Sequence, residues 1–197
     1  MSSNRNIRLF DICREGTHVL GPGLRYVVWT QGCPRRCKGC ITPESQPLDQ
    51  GTDFNIEALA ADIVNNDRID GLTVSGGEPF LQAQSLALLL QLLRQIRPEL
   101  TVMVYTGYTL QQLSRIPYAT DVLQYVDVLI DGEYIEELND DKGIRGSSNQ
   151  RVIALSHRLD KYLASMADGI RKIEYVAQDA SSVTSIGVPH KTKTLTL

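Results

Sequence analysis

Two kinds of apolar pattern alternate along the chain, and this alternation constrains the fold more than any other feature. Short runs rich in β-branched and aromatic residues are typical of buried strands, and they lie at 25–31, 71–75 and 101–105. Between them, the three- and four-residue spacing of amphipathic helices covers 56–64 and 82–97. Strands that alternate with helices predict an α/β fold with a parallel sheet or barrel, and a site at the carboxyl ends of the strands.

The apolar stripes of the two helices predict which faces are buried. The stripes consist of Ile56, Leu59, Ala60, Ile63 and Val64 in the first helix and of Leu86, Leu89, Leu90, Leu93 and Ile96 in the second. Asp53 or Asn55 is expected to cap the first helix, and Pro98 to end the second. Weaker patterns predict an edge strand at 7–12 and two short helices at 110–114 and 159–167. They also predict three short strands, at 125–130, 152–154 and 173–176.

Composition and charge narrow the class of protein. The 197 residues are 42% hydrophobic and 22% charged with a net charge of -3, which suits one globular domain. Within it, 1–24 is expected to be an N-terminal extension and 183–197 a tail that matches no pattern. The balanced charge favours neither nucleic acid nor a membrane as a partner. Because no secretory or membrane-spanning pattern is found and clustered thiols persist in reducing compartments, we expect a cytoplasmic protein.

A loop after the first strongly predicted strand carries three cysteines within eight residues, Cys33, Cys37 and Cys40. A proline and a glycine lie between them, and both suit the tight turns that let the sulfur atoms converge. Iron-sulfur clusters usually take four cysteines, and structural zinc also has four ligands. With three, a cubane cluster would keep one iron without a protein ligand, and an open position is typical of catalytic metal sites. The spacing therefore predicts a catalytic metal centre.

Two other interpretations of these cysteines stay open. A zinc knuckle would need Cys13 or His18 as its fourth ligand, although the usual two separated Cys-x2-Cys pairs are absent. A disulfide with one spare thiol fits less well, because four cysteines arranged in this way do not form a disulfide framework. Outside a zinc site, Cys13 is interpreted as an inert thiol.

Further polar motifs come directly after predicted strands. Gly76, Gly77, Glu78 and Pro79 follow the strand at 71–75, where glycines allow a close approach of the backbone and the glutamate offers an acceptor to an ammonium group. The alternative is a strand-to-helix turn with the proline at the helix start.

Two later strands end in single polar residues of interest. Thr106 and Asp131 are expected at the same mouth as the 76–79 turn, because the carboxyl ends of parallel strands share one edge. A buried carboxylate there needs a partner.

Two clusters of charged residues each allow a functional and a purely structural interpretation. Arg35, Arg36 and Lys38 crowd the cysteine loop, where they would favour a reduced cluster and meet an acidic electron donor, or simply form a solvated loop. The segment from Arg145 to Arg151 packs two arginines and four small or amide polar groups into seven residues. It suits binding of carboxylate, phosphate or a partner's backbone, or it is a turn-rich surface loop.

The Cys-x3-Cys-x2-Cys loop followed by Gly-Gly-Glu-Pro resembles the radical S-adenosylmethionine superfamily. Segments 21–25, 31–34, 105–108 and 145–151 more narrowly resemble the family of proteins that activate anaerobic ribonucleoside-triphosphate reductase, which are glycyl-radical enzyme activases. The resemblance covers about 7–176 and is most specific at the Gly-Ser-Ser-Asn-Gln stretch.

The resemblance implies a set of ligands. Cys33, Cys37 and Cys40 would hold a 4Fe-4S cluster, and the amino and carboxylate groups of S-adenosyl-L-methionine would chelate its open iron. The 76–79 turn matches the motif that holds the amino end of this cofactor. Thr106 and Asp131 would lie near its carboxylate or near a bound cation, whose position the resemblance does not specify.

The resemblance also implies a reaction and a fold. A flavodoxin-type donor would reduce the cluster, and the cofactor would be cleaved to methionine and a 5′-deoxyadenosyl radical. This radical would take a hydrogen atom from a glycine of the large subunit of anaerobic ribonucleoside-triphosphate reductase, which the segment 145–151 is a candidate to contact. The implied fold is an incomplete, laterally open (β/α) barrel, whose open side would admit a glycine loop.

Two other functions remain as alternatives. A radical enzyme of the same superfamily that acts on a small molecule, similar to a deazaguanine synthase, would turn over without a protein partner. A non-catalytic module would bind zinc and cleave no cofactor. The sequence leaves open whether the chain forms a homodimer.

Overall fold

The structure is a computed structural model that describes residues 5–177 and 183–190. The strands in these ranges are β1 (Asn6–Thr17), β2 (Arg25–Thr30), β3 (Thr52–Asn55), β4 (Gly71–Gly76), β5 (Thr101–Thr106), β6 (Val128–Asp131), β7 (Arg151–Ala154), β8 (Glu174–Ala177) and β9 (Val183–Ile186). The helices are α1 (Ile56–Asn65), α2 (Ala83–Ile96), α3 (Leu110–Leu113), α4 (Ala119–Leu123) and α5 (Leu163–Asp168). No helix of this part of the chain is long and apolar enough to cross a membrane.

Seven strands form one open sheet in the order β3-β1-β2-β4-β5-β6-β7, and β8 pairs with β9 in a separate hairpin. The four central strands, β2, β4, β5 and β6, run parallel to one another. The outer strands β1, β3 and β7 pair in the antiparallel direction. The predicted α/β class with a parallel core is therefore confirmed, and the strands of the described ranges do not close into a barrel.

The N-terminal strand differs from its prediction as a short edge strand at 7–12. β1 has 12 residues and lies inside the sheet, between β2 and β3. Its apolar part, which includes the fully buried Ile7 and Leu9, was visible in the sequence. The second half is polar, and it continues the strand because its backbone still pairs with β2 as far as Thr17 opposite Arg25. β3 went unpredicted because it is four residues long and lacks an apolar run.

The two long helices form close to the predicted positions. Asn55 caps α1, since its side chain accepts a hydrogen bond from the backbone N–H of Ala58 at 2.9 Å. Asp53, the other candidate cap, instead pairs with Arg8 of β1. The predicted stripes are buried apart from Val64, which is partly buried against the core, and Ile96, which is 59% exposed at the last position of α2. This exposure corrects the prediction for that residue, because the helix ends there.

The shorter elements follow the predictions with small shifts. β6 begins at Val128 rather than at 125, because the residues before it form the turn that leaves α4. α5 begins at Leu163, and a short turn replaces the start of the helix predicted at 159–167. The weak patterns did not predict α4, nor β9 in the segment that matched no pattern. The end of that segment, 191–197, lies outside the described residues.

The two faces of the sheet are covered differently. On one face, α1, α2 and α4 pack over residues such as Val28 and Val104 and form the main core. Side chains of neighbouring residues in a strand point to opposite faces. On the second face, smaller clusters form around Val27, beside β9, and around Val128, beside α5. This second face has open space between its two clusters.

Candidate functional site

A cavity of about 310 Å³ opens on the second face, where the parallel strands β2, β4 and β5 end. Its volume is in the range of cofactor and small-molecule sites. The predicted site residues that line it are Cys33, Cys37, Cys40, Gly76, Gly77 and Thr106. Those that do not line it are Glu78, Pro79 and Asp131. The fold therefore brings the cysteine loop and the end of β4 together at the predicted edge of the sheet.

The cysteine loop is held at its root by backbone hydrogen bonds. The N–H of Gly32 donates to the carbonyl of Ser45 at 2.7 Å, and that of Cys33 donates to Gln46 at 2.9 Å. Gly32 adopts a positive φ of 94°, a conformation that favours glycine, so the chain turns out of β2 into the loop. All the cysteines are free thiols. The loop thus presents its thiols from a fixed root.

Burial and charge keep two of these thiols protonated in the absence of metal. Burial raises the pKa of Cys33 above that of a free thiol. Burial together with the negative charge of Glu133 raises the pKa of Cys37 to about 11. The Glu133 carboxylate lies 3.7 Å from the Cys37 sulfur. Since metal ligands must be thiolates, metal loading at this loop must release protons.

The chemistry of the donor set fits an iron-sulfur cluster. In the ranges 5–177 and 183–190, no three His, Cys, Asp or Glu side chains are arranged to share one metal ion. A cluster makes a different demand, because its cysteines bind separate irons. The two residues that would complete a zinc knuckle, Cys13 and His18, do not line the cavity. Cys13 lies in β1 opposite Val27, and the His18 ring contacts the carbonyl of Gly23 at 3.2 Å.

Gly76 ends β4 against the backbone of β2, and Gly77, the next residue, lies against the root of the cysteine loop. A Cβ atom on Gly77 would lie 2.8 Å from the Gly32 carbonyl carbon, and closer still to its oxygen. A Cβ on Gly76 would lie 2.6 Å from the carbonyl oxygen of Thr30. The N–H of Gly77 donates to Thr30 and that of Glu78 donates to Gly32, at 2.7 and 2.8 Å. Only glycine therefore allows this turn to approach the loop so closely.

Glu78 is buried and crosslinks two strand ends. Its carboxylate accepts hydrogen bonds from the Thr106 hydroxyl at 2.8 Å, from the N–H of Gly107 at 2.9 Å and from the N–H of Phe80 at 3.1 Å. Burial raises its pKa, and these three hydrogen bonds act in the opposite direction. Pro79 begins the turn that leads into α2, as the structural alternative predicted. Glu78 and Thr106 together fix the end of β4 against the end of β5.

The buried carboxylate of Asp131 is paired with a side chain of the same chain, that of Arg151. The Arg151 guanidinium donates to both carboxylate oxygens, with Nε at 2.8 Å from Oδ1, and the N–H of Leu110 donates to Oδ2 at 2.7 Å. This arrangement ties β6 to β7 and to the start of α3. The predicted contact of Asp131 with the cofactor or a cation stays a prediction, and the carboxylate is used within the fold.

The segment from Arg145 to Arg151 is a turn whose polar groups bind within the chain. The Gln150 side chain accepts from the N–H groups of Gly146 and Ser147 and donates to the Gly132 carbonyl at 2.8 Å. Arg145 pairs with two aspartates, Asp140 and Asp168. Gly146 and Gln150 also line the cavity. The segment is thus part of the cavity wall, and its predicted contact with a partner is untested.

The three basic residues of the cysteine loop have different surroundings. Lys38 is exposed and pairs with two glutamates, at 3.6 and 3.1 Å, and Arg36 is also exposed. Arg35 lines the cavity, stacks on the Tyr108 ring at 4.4 Å and lies 3.4 Å from Glu133. Its Nε is buried without a hydrogen-bond partner. The solvated-loop interpretation fits Lys38 and Arg36, whereas Arg35 belongs to the site.

Several further residues line the cavity that were not among the predicted site residues. They are Phe10, Asp11, Leu20, Trp29, Tyr105, Ile173 and the run 185–189. Trp29 and Tyr105 alternate with core residues along β2 and β5, so the period of two predicts that they face away from the core. The C-terminal residues reach the cavity only through tertiary packing.

Comparisons with known proteins point to an iron-sulfur domain in this chain. Residues 19–153 match a family model described as a 4Fe-4S single cluster domain. The anaerobic ribonucleoside-triphosphate reductase-activating protein of Vibrio cholerae is 37% identical over 144 residues, which is 68% of this chain and 90% of that protein. The protein of the same name from Pasteurella multocida is 35% identical over 142 residues, 68% of this chain and 89% of its own length.

Two more distant likenesses complete the comparison. The activating protein of Enterobacteria phage T4 is 32% identical over 138 residues, 68% of this chain and 86% of its own length. A crystal structure of QueE from Escherichia coli aligns with a TM-score of 0.41 at 12% identity, over 65% of this chain and 71% of that one, and we draw nothing from this weak similarity. On the strength of the family model and the curated relatives, the chain belongs to the family of anaerobic ribonucleoside-triphosphate reductase-activating proteins.

Proposed function

We propose that this protein activates an anaerobic ribonucleoside-triphosphate reductase by generating a glycyl radical on its large subunit. The reaction is the reductive cleavage of S-adenosyl-L-methionine at a 4Fe-4S cluster, followed by hydrogen abstraction from a glycine of the partner. One observation carries the proposal: three free thiols converge with the Gly76–Gly77 turn on one cavity at the strand ends. The membership of an activator family supports the choice of partner.

The residues that line the cavity would have different roles in this reaction. Cys33, Cys37 and Cys40 would hold the cluster, leaving one iron open, and the backbone edge of Gly76 and Gly77 would receive the amino end of the cofactor. When bound, the cluster supplies the electron and the cofactor supplies the group that abstracts hydrogen. The protein's part is placement and exclusion of water.

Glu78 and Thr106 act as positioning residues in this scheme. Their hydrogen bond of 2.8 Å joins the end of β4 to the end of β5, and both strand ends border the cavity. Because the turn backbone is fixed in this way, its peptide groups are oriented before the cofactor binds, which lowers the cost of binding. Asp131 and Arg151 would support the mouth in the same manner, between β6 and β7.

The proposal also covers the access route for the reductase, the surface that contacts it and the electron donor. The central parallel strands would act as an incomplete (β/α) barrel whose open side admits a glycine loop of the reductase. The wall segment from Arg145 to Arg151 would contact that partner. A flavodoxin-type donor would supply the electron, and the exposed Arg36 offers an acidic donor a positive charge beside the cysteines. We expect this reaction in the cytoplasm.

An anaerobic reconstitution tests the proposal. The protein is loaded with iron and sulfide, reduced, and mixed with S-adenosyl-L-methionine, with and without the large reductase subunit. We expect cofactor cleavage with wild type and with Cys13→Ala, and neither cluster nor cleavage with Cys37→Ala. Cleavage by Cys37→Ala would contradict the site. Cleavage without a radical on the reductase would indicate a small-molecule substrate instead, and bound zinc without cleavage would indicate the non-catalytic module.

A further inference from the structure

The C-terminal part of the chain contributes a wall to the cavity. We call residues 170–177 and 183–190, as the structure describes them, the C-terminal strap. The family model ends at residue 153, so the strap lies beyond the matched domain. The strap nevertheless supplies Ile173 and the run 185–189 to the cavity lining. A segment outside the family domain therefore shapes the proposed active site.

One end of the strap is anchored on β1, β2 and the loop between them. Ile186 and Val188 are each 6% exposed and form an apolar cluster with Val19, Leu20 and Val27. Glu174 of the strap accepts hydrogen bonds from the Thr17 hydroxyl and from the N–H of His18. Apolar packing and two hydrogen bonds therefore hold the strap to the side of the sheet that carries the cysteine loop.

Arg171 anchors the strap on the other side of the cavity. Its guanidinium is buried and donates to five acceptors at 2.6–3.3 Å, which are the Asn139 side chain and the carbonyls of Lys142, Gly143, Arg145 and Pro189. It joins the beginning of the strap to its end and to the loop that precedes Gly146. Just before the strap, α5 packs with Met166 against Val128 and Ile130 of β6. The strap thus spans the second face of the sheet, from the β6 side to the β2 side.

We propose that the C-terminal strap is the side wall that couples cofactor cleavage to radical formation on the partner, an inference that rests on the proposed function. The strap closes the face of the cavity that the helices do not cover. Without it, a small thiol would enter and give its S–H hydrogen atom in place of the glycine. That thiol would be left as a thiyl radical, and the reductase glycine would remain intact. The strap therefore leaves the mouth at the strand ends as the route for the glycine loop.

A single tryptophan offers a readout that does not depend on activity. Trp29 is the only tryptophan in the sequence, and it lines the cavity while packing against the cluster that holds Ile186 and Val188. Its fluorescence therefore reports whether the strap covers the cavity. Quenching by acrylamide measures how readily a small molecule reaches the indole ring.

The first experiment compares two isoleucine-to-alanine variants of the strap in the metal-free protein. Ile186 is 6% exposed and packs on the sheet, whereas Ile170 is 90% exposed and serves as the matched control. We expect a larger quenching constant for Ile186→Ala than for wild type, and wild-type quenching for Ile170→Ala. Val188→Ala repeats the test with a smaller deletion, and Glu174→Ala replaces both if circular dichroism shows that they unfold. Equal quenching in folded variants and control would overturn the inference.

The second experiment measures coupling in the reconstituted protein with the reductase subunit and dithiothreitol. For Ile186→Ala we expect more cofactor cleaved per glycyl radical than for wild type or Ile170→Ala, with the excess growing as the thiol concentration rises. An unchanged ratio despite increased quenching would overturn the coupling role. If wild type itself neither cleaves the cofactor nor forms the radical, the proposed function fails, and the quenching result still decides whether the strap is the wall.

Discussion

Replacing Gly77 by alanine tests whether the turn after β4 and the cysteine loop form one rigid unit. The new Cβ would lie 2.8 Å from the carbonyl carbon of Gly32 and 2.9 Å from the carbonyl oxygen of Ser45. Both are backbone atoms at the root of the loop, which two further hydrogen bonds hold in place. The turn and the loop must therefore move apart, because neither obstacle is a flexible side chain.

The cost follows from the contacts that would be lost. Overpacking of this kind costs about 1–3 kcal/mol, and each weakened hydrogen bond from the turn to Thr30 and Gly32 adds about 0.5–1.5 kcal/mol. We expect the free energy of unfolding of the metal-free protein to fall by about 2–6 kcal/mol. Iron content after reconstitution should fall as well, since Cys33 follows directly on the displaced Gly32.

Gly107→Ala is the matched control for this prediction. Its Cβ would meet the Arg35 side chain, with Nε at 2.6 Å, and a side chain can move where a backbone cannot. Urea unfolding and iron analysis of both variants measure the difference, and Gly77→Ala should be the less stable and the poorer in iron. Equal free energies of unfolding, with wild-type iron content in Gly77→Ala, would refute the reasoning.

Three further single variants and one double variant test other parts of the site. Thr106→Val removes one donor to Glu78 and should lower the free energy of unfolding by about 1.5–3 kcal/mol when that carboxylate is ionised. Burial raises the pKa of Glu78 and the lost hydrogen bond opposed this rise, so the loss of stability should grow as pH rises above the ordinary glutamate pKa. Urea unfolding at pH 5 and pH 8 that shows the same loss at both would contradict this prediction. Arg151→Met removes the half-exposed partner of the buried Asp131 carboxylate and should cost about 1–3 kcal/mol, because the N–H of Leu110 is then the remaining donor. Adding Asp131→Leu should restore part of that loss, and a double variant less stable than the single one would contradict the pairing. Arg171→Met should increase the quenching of Trp29 as Ile186→Ala does, and wild-type quenching would show that this anchor is not needed.

The parts of the site that could be predicted from sequence are those determined by local pattern. The cysteine spacing, the glycine turn after β4 and the stripes of α1 and α2 each depend on residues close together in the chain. β2 and β4 are neighbouring parallel strands, so their carboxyl ends lie at the same edge of the sheet. Cys33 and Gly76 lie at these two ends and therefore reach the same cavity. Asn55 was one of two predicted caps, and the structure selects it because Asp53 pairs with Arg8.

What could not be predicted depends on contacts between distant residues. The partner of Asp131 lies 20 residues away, in a segment whose arginines looked equally suited to an external ligand. The strap reaches the cavity through packing of Ile186 on Val27, which no periodicity indicates. Cys13 and His18 were candidate metal ligands because they are near in sequence, and the course of β1 keeps both away from the cavity lining.

In the proposed reaction, a hydrogen atom passes from a glycine of the reductase to the cleaved cofactor. The most direct measurement uses large reductase subunit made with α-deuterated glycine, incubated anaerobically with the reconstituted and reduced protein and S-adenosyl-L-methionine. Mass spectrometry of the 5′-deoxyadenosine should show one added deuterium, and the electron spin resonance doublet of the glycyl radical should collapse to a single line. Unlabelled 5′-deoxyadenosine from a reaction that leaves no radical on the reductase would contradict the account.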